Sequence, residues 1–396
     1  MGANKRVPEL RFRGFSGEWE EKKLEEIVDL CSGRDYKHLL DGNIPVYGTG
    51  GYMLSVNEAL SYDKNAIGIG RKGTINKPYV LKAPFWTVDT LFYAIPKKQN
   101  YLSFVYNIFQ KINWKQKDES TGVPSLSKVS INSIEIFSSK FDEQTKIGNY
   151  FQNLDKLIEQ KEKKYQKLGQ LKKAMLEKMF PKEGATTPEI RFKGFSGEWE
   201  EKRIEEIVDV IDGDRGHNYP NGDELQTIGH TLFLSASNVT VNGFKFVNNQ
   251  YITELKSESM GNGKLIENDI VLTSRGSIGH IAWYNKEIMQ QVSYMRINSG
   301  MLILRTLGLI NSSILTQLLK SPLGKKKIDL ISFGSAQPQL TKKDVSNNEL
   351  IFPLSKLEQT KIGNYFQKLD YLIELQDQEL QKLKNIKKAS LAKMFV

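Results

Sequence analysis

Residues 8–33 read PELRFRGFSGEWEEKKLEEIVDLCSG, and residues 188–213 read PEIRFKGFSGEWEEKRIEEIVDVIDG, an offset of 180 at which 19 of 26 positions are identical. A second pair of blocks follows them. Residues 143–180 open with EQTKIGNYFQNLDKLIE and close with KKAMLEKMF; residues 358–395 open with EQTKIGNYFQKLDYLIE and close with KKASLAKMF, an offset of 215 with 25 of 38 positions identical. Between the matched blocks lie two stretches, about 34–141 and about 214–356, that differ in length and share little sequence. The plan is frame, insert, closing block, repeated once. A period of about 200 residues is too long for a solenoid repeat, so this is a duplicated module. Its halves can sit around a pseudo-two-fold axis, and the unlike inserts need not do the same job.

The closing blocks read as long helices. Apolar residues of the first fall at Ile147, Phe151, Leu154, Ile158, Leu168 and Met175, and those of the second at Ile362, Phe366, Leu369, Ile373, Leu380 and Leu383. With polar residues such as Lys161, Lys172, Gln376 and Lys387 filling the gaps, the steps alternate four and three, which is a heptad seam. Asp142 or Glu143 suits the positive N-terminal end of the first helix, and Pro181 stops it. At about 1.5 Å per residue each block runs about 57 Å. A lone helix striped in this way needs a partner, and the other closing block is the obvious one. The polar seam positions resist indefinite self-association and leave room for helices of another protein.

The inserts read as mixed α/β. Strand-like runs are 66–69, 78–81, 90–95, 269–273 and 278–284, and helical patterns span 102–112 and 314–319. The fold class is therefore α+β: two α/β domains related by a pseudo-two-fold and separated by a long antiparallel coiled-coil pair of helices. Under the divergence of the inserts lie two shared patterns. Gly70-Arg71-Lys72-Gly73-Thr74-Ile75 aligns with Ser274-Arg275-Gly276-Ser277-Ile278-Gly279, and residues 122–128 (GVPSLSK) align with 336–342 (AQPQLTK). Each puts basic and small polar residues on a turn next to a strand, where they can approach a phosphate backbone or a groove edge.

Lys plus Arg is 56 and Asp plus Glu is 46, and the net charge of +10 favours a polyanionic partner. The single cysteine, Cys31, excludes an internal disulfide framework and a cysteine-rich zinc site, and reads as a small buried side chain. The N-terminus lacks the apolar core of a signal peptide, and the longest apolar stretch, 301–310, is broken by Arg305 and too short for a bilayer. A cytoplasmic location and no membrane partner are expected. Residues 68–73 match G-x-G-x-x-G, yet Pro78 breaks any helix that would follow, so a glycine-rich turn is the better account. A Walker-A loop and an Asn-Pro-Pro-aromatic tetrapeptide are both missing, and His38, His217, His230 and His280 show no ligand spacing. No catalytic residue and no metal ligand is assigned. Trp19 and Trp199 hold equivalent frame positions and anchor each core.

The twin FSGEWEEK entries (15–22 and 195–202), the twin EQTKIGNYFQ helix starts (143–152 and 358–367) and the Pro-x-Leu-[Ser/Thr]-Lys turns before them resemble the specificity subunit of type I restriction-modification enzymes across essentially the whole chain. The resemblance implies a first target-recognition domain over 8–141, a central spacer helix over 142–180, a second target-recognition domain over 188–356 and a C-terminal spacer helix over 357–395. It implies a non-catalytic subunit in which each recognition domain reads one half of a bipartite site in double-stranded DNA. The helix pair would fix the spacer and dock two modification (methyltransferase) subunits that methylate adenine, with restriction subunits completing the nuclease. S-adenosylmethionine, ATP and Mg belong to those partners, and this chain binds no cofactor. Candidate phosphate contacts are Arg34, Lys37, Arg71, Lys72, Lys77 and Lys128 in the first insert, and Arg215, Arg275, Lys342 and Lys343 in the second. Candidate base contacts are Tyr47, Thr74 and Ser125, then Ser235, Ser237, Asn238, Gln337 and Gln339. The alternatives are a stand-alone two-headed DNA-binding regulator, a nucleotide enzyme using the 68–73 loop, and a coiled-coil scaffold.

Overall fold

The computed structural model describes residues 6–332 and 339–396. The chain forms two compact units, one made of the residues up to Lys164 together with Gln376–Val396, the other of Tyr165–Leu375. The division falls inside the two long helices, so each unit holds one α/β module and a part of each helix.

In the first unit the frame block forms β1 (Glu20–Lys23), α1 (Leu24–Ile27) and β2 (Val28–Ser32). The insert supplies β3 (Asp41–Gly48), β4 (Gly51–Val56), β5 (Ala66–Gly70), β6 (Tyr79–Leu81), β7 (Trp86–Thr87), β8 (Leu91–Pro96), α2 (Leu102–Lys111), α3 (Lys128–Asn132) and β9 (Glu135–Ser138), and leads into α4 (Phe141–Lys178). The main sheet runs β2-β8-β5-β6, all antiparallel, beside a smaller sheet β4-β3-β7 in which β3 and β7 are parallel. The run AIGIG of β5 is buried throughout because its main chain is paired on both edges and its faces are covered. The apolar side of α2 (Phe104, Val105, Ile108, Phe109) joins Trp19, Leu24, Ile67 and Ile69 in one core.

The second unit repeats this order. Its frame forms β10 (Glu200–Arg203), α5 (Ile204–Ile207) and β11 (Val208–Asp212). Its insert supplies β12 (Thr231–Phe233), β13 (Val239–Thr240), β14 (Gly243–Phe244), β15 (Tyr251–Ile252), α6 (Glu254–Ser259), β16 (Ile270–Thr273), β17 (Ile281–Trp283), α7 (Lys286–Gln291), β18 (Met295–Arg296), β19 (Met301–Thr306), α8 (Ser312–Lys320), α9 (Pro322–Ser332), α10 (Lys342–Asn347) and β20 (Glu349–Phe352), followed by α11 (Lys356–Lys393). The main sheet is β11-β19-β16-β17 and the smaller one β15-β12-β18, the same topology as in the first unit. The expected strand over 278–284 is shorter than its pattern: residues 278–280 are still the return of a turn, and Gly279 has φ +83°.

The repeated frame blocks close each module in the same way. β1 pairs with β9 and β10 with β20, joining the start of each frame to the strand before its long helix. The guanidinium of Arg11 donates to both Glu143 oxygens at 2.6 and 2.8 Å, and Arg191 does the same to Glu358 at the same distances. Gln144 accepts from the Tyr101 N–H and donates to the Ser139 carbonyl; Gln359 accepts from the Asn311 N–H and donates to the Pro353 carbonyl. Gly148 and Gly363 admit close helix contacts, since a Cβ there would meet the Tyr101 ring at 2.5 Å or the Ser313 hydroxyl at 2.2 Å. The motif E-Q-x-x-x-G is thus an anchor set that docks each long helix on its module.

The apolar stripe of each long helix serves two neighbours. Ile147, Phe151 and Leu154 are buried in the core of the first module, and Ile362, Phe366 and Leu369 in that of the second. Leu168 and Met175 pack against the second core, and Leu383 against the first. Leu380 is buried, while Ile158 and Ile373 are half-buried. Only part of the predicted seam is therefore helix against helix. Within the first unit the helix segments run antiparallel, with Tyr150 next to Ser390, Asp155 paired to Lys387 and Lys161 to Glu379.

Candidate nucleic-acid interface

In each module a turn, a strap and a capped helix meet at one end of the main sheet. β5 ends at Gly70 opposite Leu91, and the chain turns so that the N–H of Arg71 donates to the Thr90 carbonyl at 2.8 Å. The Arg71 carbonyl accepts from Leu126, and Gly73 donates to the Pro124 carbonyl, which fastens the turn to 124–126. In the second module the Ser274 N–H donates to the Gly300 carbonyl at 2.8 Å, and the Ser274 carbonyl accepts from Leu340. The bonds match Arg71 with Ser274, so Lys72, not Arg71, occupies the place of Arg275. Gly73 (φ +86°) and Gly276 (φ +68°) agree, each following the matched cation in the left-handed region that favours glycine. The two turns thus correspond one residue away from the match of their sequences, with Thr273 standing where the first module has Gly70. The Thr273 hydroxyl bonds the Ser277 carbonyl across the turn.

The straps 87–90 and 298–300 gather the cations. The Arg34 N–H donates to the Thr87 carbonyl at 2.8 Å, and the Arg71 guanidinium reaches the Asp89 carbonyl at 3.4 Å while lying over the Phe92 ring. The Arg215 guanidinium reaches the Ser299 carbonyl at 3.3 Å, and the Arg275 N–H donates to the Gly300 carbonyl. Each site thus has exposed cationic side chains on a main chain fixed by hydrogen bonds. Lys128 and Lys342 are the first residues of α3 and α10, behind the N-caps Ser127 and Thr341, whose hydroxyls accept from Ser130 and Asp344.

Carboxylates hold two of the loops in place. Asp118 accepts from the N–H groups of Ser125 and Ser120 and from the Ser120 hydroxyl, which holds its carboxyl below the usual aspartate range. Asp214 accepts from Gly216 at 2.7 Å and Gly261 at 2.8 Å and is lowered for the same reason. Behind this loop Arg296 is 3% exposed and donates to the carbonyls of Met260, Gly261 and Asn262 and to the Ser257 hydroxyl; burial pushes its pKa down.

Several sequence-selected residues stand elsewhere or do other work. Asn238 is fully buried, and its amide is spent on the Ser235 N–H, the Lys245 carbonyl and Asn249, so it shapes a turn and does not present an amide to a base. The Ser235 hydroxyl is engaged by Ser237 and Asn238, while Ser237 is exposed. Tyr47 is half-buried among Tyr52 and Tyr79, a packing role rather than an open base contact. Lys342 lies 4.0 Å from Asp209. Thr74 and Ser125 are half-buried, and Lys37, Lys77, Lys343 and Gln339 are exposed. Gln337 lies outside the described residues. The straps (Val88-Asp89-Thr90 and Asn298-Ser299-Gly300) were not legible in the sequence, because they hold no basic residue and share no motif. Among the described residues no group of three or more His, Cys, Asp or Glu is placed to hold a metal ion, and no helix is long and apolar enough to cross a membrane.

Two copies of one α+β module, each ending in a long helix and carrying a basic turn beside a strap, define a duplicated two-module architecture with an exposed basic turn in each copy. The model of the type I restriction modification DNA specificity domain matches residues 16–170 and again 196–385, and the chain belongs to that family. It is 24% identical over 336 residues to the type I restriction enzyme MjaVIII specificity subunit of Methanocaldococcus jannaschii, covering 81% of this chain and 73% of that protein. Its fold matches the crystal structure of the type I restriction-modification system S subunit from M. genitalium, with TM-score 0.73, 17% identity, and coverage of 98% of this chain and 99% of the other. A solved structure concerned with complex assembly and conformational transition of the type I R-M system matches with TM-score 0.50 at 16% identity, covering 95% of this chain and 97% of that one.

Proposed function

We propose that this chain is the non-catalytic subunit that gives a type I restriction-modification enzyme its DNA specificity, with each module reading one half of a bipartite, asymmetric site. The observation that carries this is the paired basic turn: Lys72 and Arg275 stand at matched positions on matched hydrogen bonds, inside inserts that otherwise diverge. Phosphate contacts position a reader, and divergent surroundings let two readers differ. Each long helix has 38 residues. At about 1.5 Å per residue that exceeds one DNA turn of about 34 Å, a length that suits a spacer between half-sites. The helices also dock two modification subunits, which hold S-adenosylmethionine and methylate adenine; restriction subunits using ATP and Mg join through them.

The test is to co-express the chain with a modification subunit and map methylated adenines by long-read sequencing. The expected result is two short defined segments separated by a fixed run of undefined bases. One contiguous motif, or methylation indifferent to this chain, overturns the reading. In the same assembly Lys72→Ala and Arg275→Ala each weaken binding to all sequences and lower the salt slope by about 1.

A further inference from the structure

Because the basic turn is built alike in both modules, it does not explain how they read unlike half-sites. A different element varies at one shared topological position. In the smaller sheet β3 is central, parallel to β7 and antiparallel to β4; β12 is central, parallel to β18 and antiparallel to β15. The first module joins β3 to β4 through Thr49 and Gly50 alone. The second spends residues 234–250 on the same connection and raises from it the ribbon β13–β14, with Val241 and Asn242 at the tip.

Both hairpin ends hold apolar side chains out in solvent. Tyr52 is 63% and Met53 49% exposed just past the first tip, and Val241 is 69% exposed on the second. The register shifts between Val46 and Tyr47, which leaves Met53 without a strand partner, so the hairpin end bulges there with Tyr52 and Met53 both exposed. Each hairpin is also tied to its basic turn. The Val88 N–H donates to the Tyr47 carbonyl at 3.0 Å, and Val88 belongs to the strap that holds Arg34 and Arg71. In the second module the His280 ring lies 3.0 Å from the Val239 carbonyl, and the His280 N–H donates to Thr273, on the hairpin that carries Arg275.

Resting on the proposed DNA-reading role, we infer that the ends of these two hairpins are the base readers, and that Tyr52 and Met53 in one module and Val241 in the other each meet a thymine methyl in the major groove of their half-site. A two-stranded ribbon fits the major groove, and thymine alone offers a methyl there. The flanking cations supply charge complementarity to the phosphates on either side. A protein partner bound equally by both modules would meet the same surface twice, whereas these connections differ in length and sequence.

The experiment uses the assembled methyltransferase. Once the wild-type motif is known, each thymine of each half-site is replaced in turn by deoxyuridine, which removes only the methyl. The wild-type enzyme is expected to lose about tenfold in binding at one position in each half. Met53→Ala or Tyr52→Ala is expected to abolish the deoxyuridine effect and relax the methylation motif in one half only, and Val241→Ser in the other half only. Wild-type binding that ignores deoxyuridine everywhere, or variants that keep the full motif, overturns the inference. So does a loss of co-purification with the modification subunit that affects all sequences equally. A wild-type assembly with no bipartite motif fails the parent reading before any variant is made.

Discussion

Arg11 and Arg191 do for the frame what no backbone pairing does: each fixes a buried carboxylate at the start of a long helix. The side chains of Glu143 and Glu358 are 3% and 1% exposed, and each accepts a two-pronged bond from its arginine. The same arginines donate to the carbonyls of Gly17 and Gly197, so they also hold the FSGEW turn. Truncating the cation leaves a buried charge without its partner, which costs about 3–5 kcal/mol. Arg11→Ala is therefore expected to destabilise the first unit by about 3 kcal/mol or more, and Arg191→Ala the second. A chain of two units need not unfold in one step, so the check is hydrogen exchange resolved by segment. Equal, unchanged protection in both units would show that the pair contributes little. At this scale the sequence was only partly legible. Glu143 read as a charge at a helix N-terminus, because its partner lies 132 positions away and heptad spacing says nothing about it. The signal was present in the duplication, since Arg11/Arg191 and Glu143/Glu358 recur together. Asn238 misled for a different reason: the amide chemistry that reads adenine is the same chemistry that satisfies a buried turn.

Among elements, the long helices were the most legible, yet their polar positions were not gaps. Lys172 pairs with Asp370, and Lys387 pairs with Asp155 at 2.6 Å. Adding 215 to 172 gives 387, and adding 215 to 155 gives 370, so one ion pair is built twice from duplicated sequence. Periodicity exposes which residues share a stripe but not which oppose each other across it, because antiparallel register depends on the modules that hold the helix ends. The lysines are 19% exposed and the aspartates 39% and 42%, so each pair is partly screened and contributes about 1 kcal/mol or less. Lys387→Glu is expected to weaken the helix packing of the first unit by like-charge contact with Asp155, and Asp155→Lys added to it is expected to restore that packing. Thermal unfolding of the single and double variants checks this, and a double variant no better than Lys387→Glu alone would refute the register. The basic turns sit between these extremes. Their chemistry was readable, but their alignment needed the hydrogen-bond ladder, because a glycine in one copy and a threonine in the other close the same turn.

For the whole molecule, the decisive feature is where the repeated Lys-Met-Phe endings go. Phe395 is 5% exposed and lies against Trp19, Phe104 and Phe151 at 5.9, 5.3 and 5.9 Å, inside the first unit. Phe180 is 1% exposed and lies against Trp199 and Phe366 at 6.1 and 5.8 Å, inside the second. The block that follows the first insert therefore closes the core of the second unit, and the block that follows the second insert closes the first. The repetition of this tripeptide was visible in the sequence; its destination was not, because either tryptophan offers the same apolar surface. The consequence is asymmetric. The second unit is one continuous segment, whereas the first must bring 376–396 back to residues more than 200 positions earlier. Long loop closure adds only logarithmically to the free-energy cost but slows formation of the contact. Removing a buried phenylalanine ring costs about 3–5 kcal/mol. Phe395→Ala is thus expected to strip hydrogen-exchange protection from 91–109 in the first unit while 301–319 keeps its own, and Phe180→Ala is expected to do the reverse. If either variant lowers protection in both segments equally, the two units unfold as one block and their cores are not closed independently by these two aromatic rings.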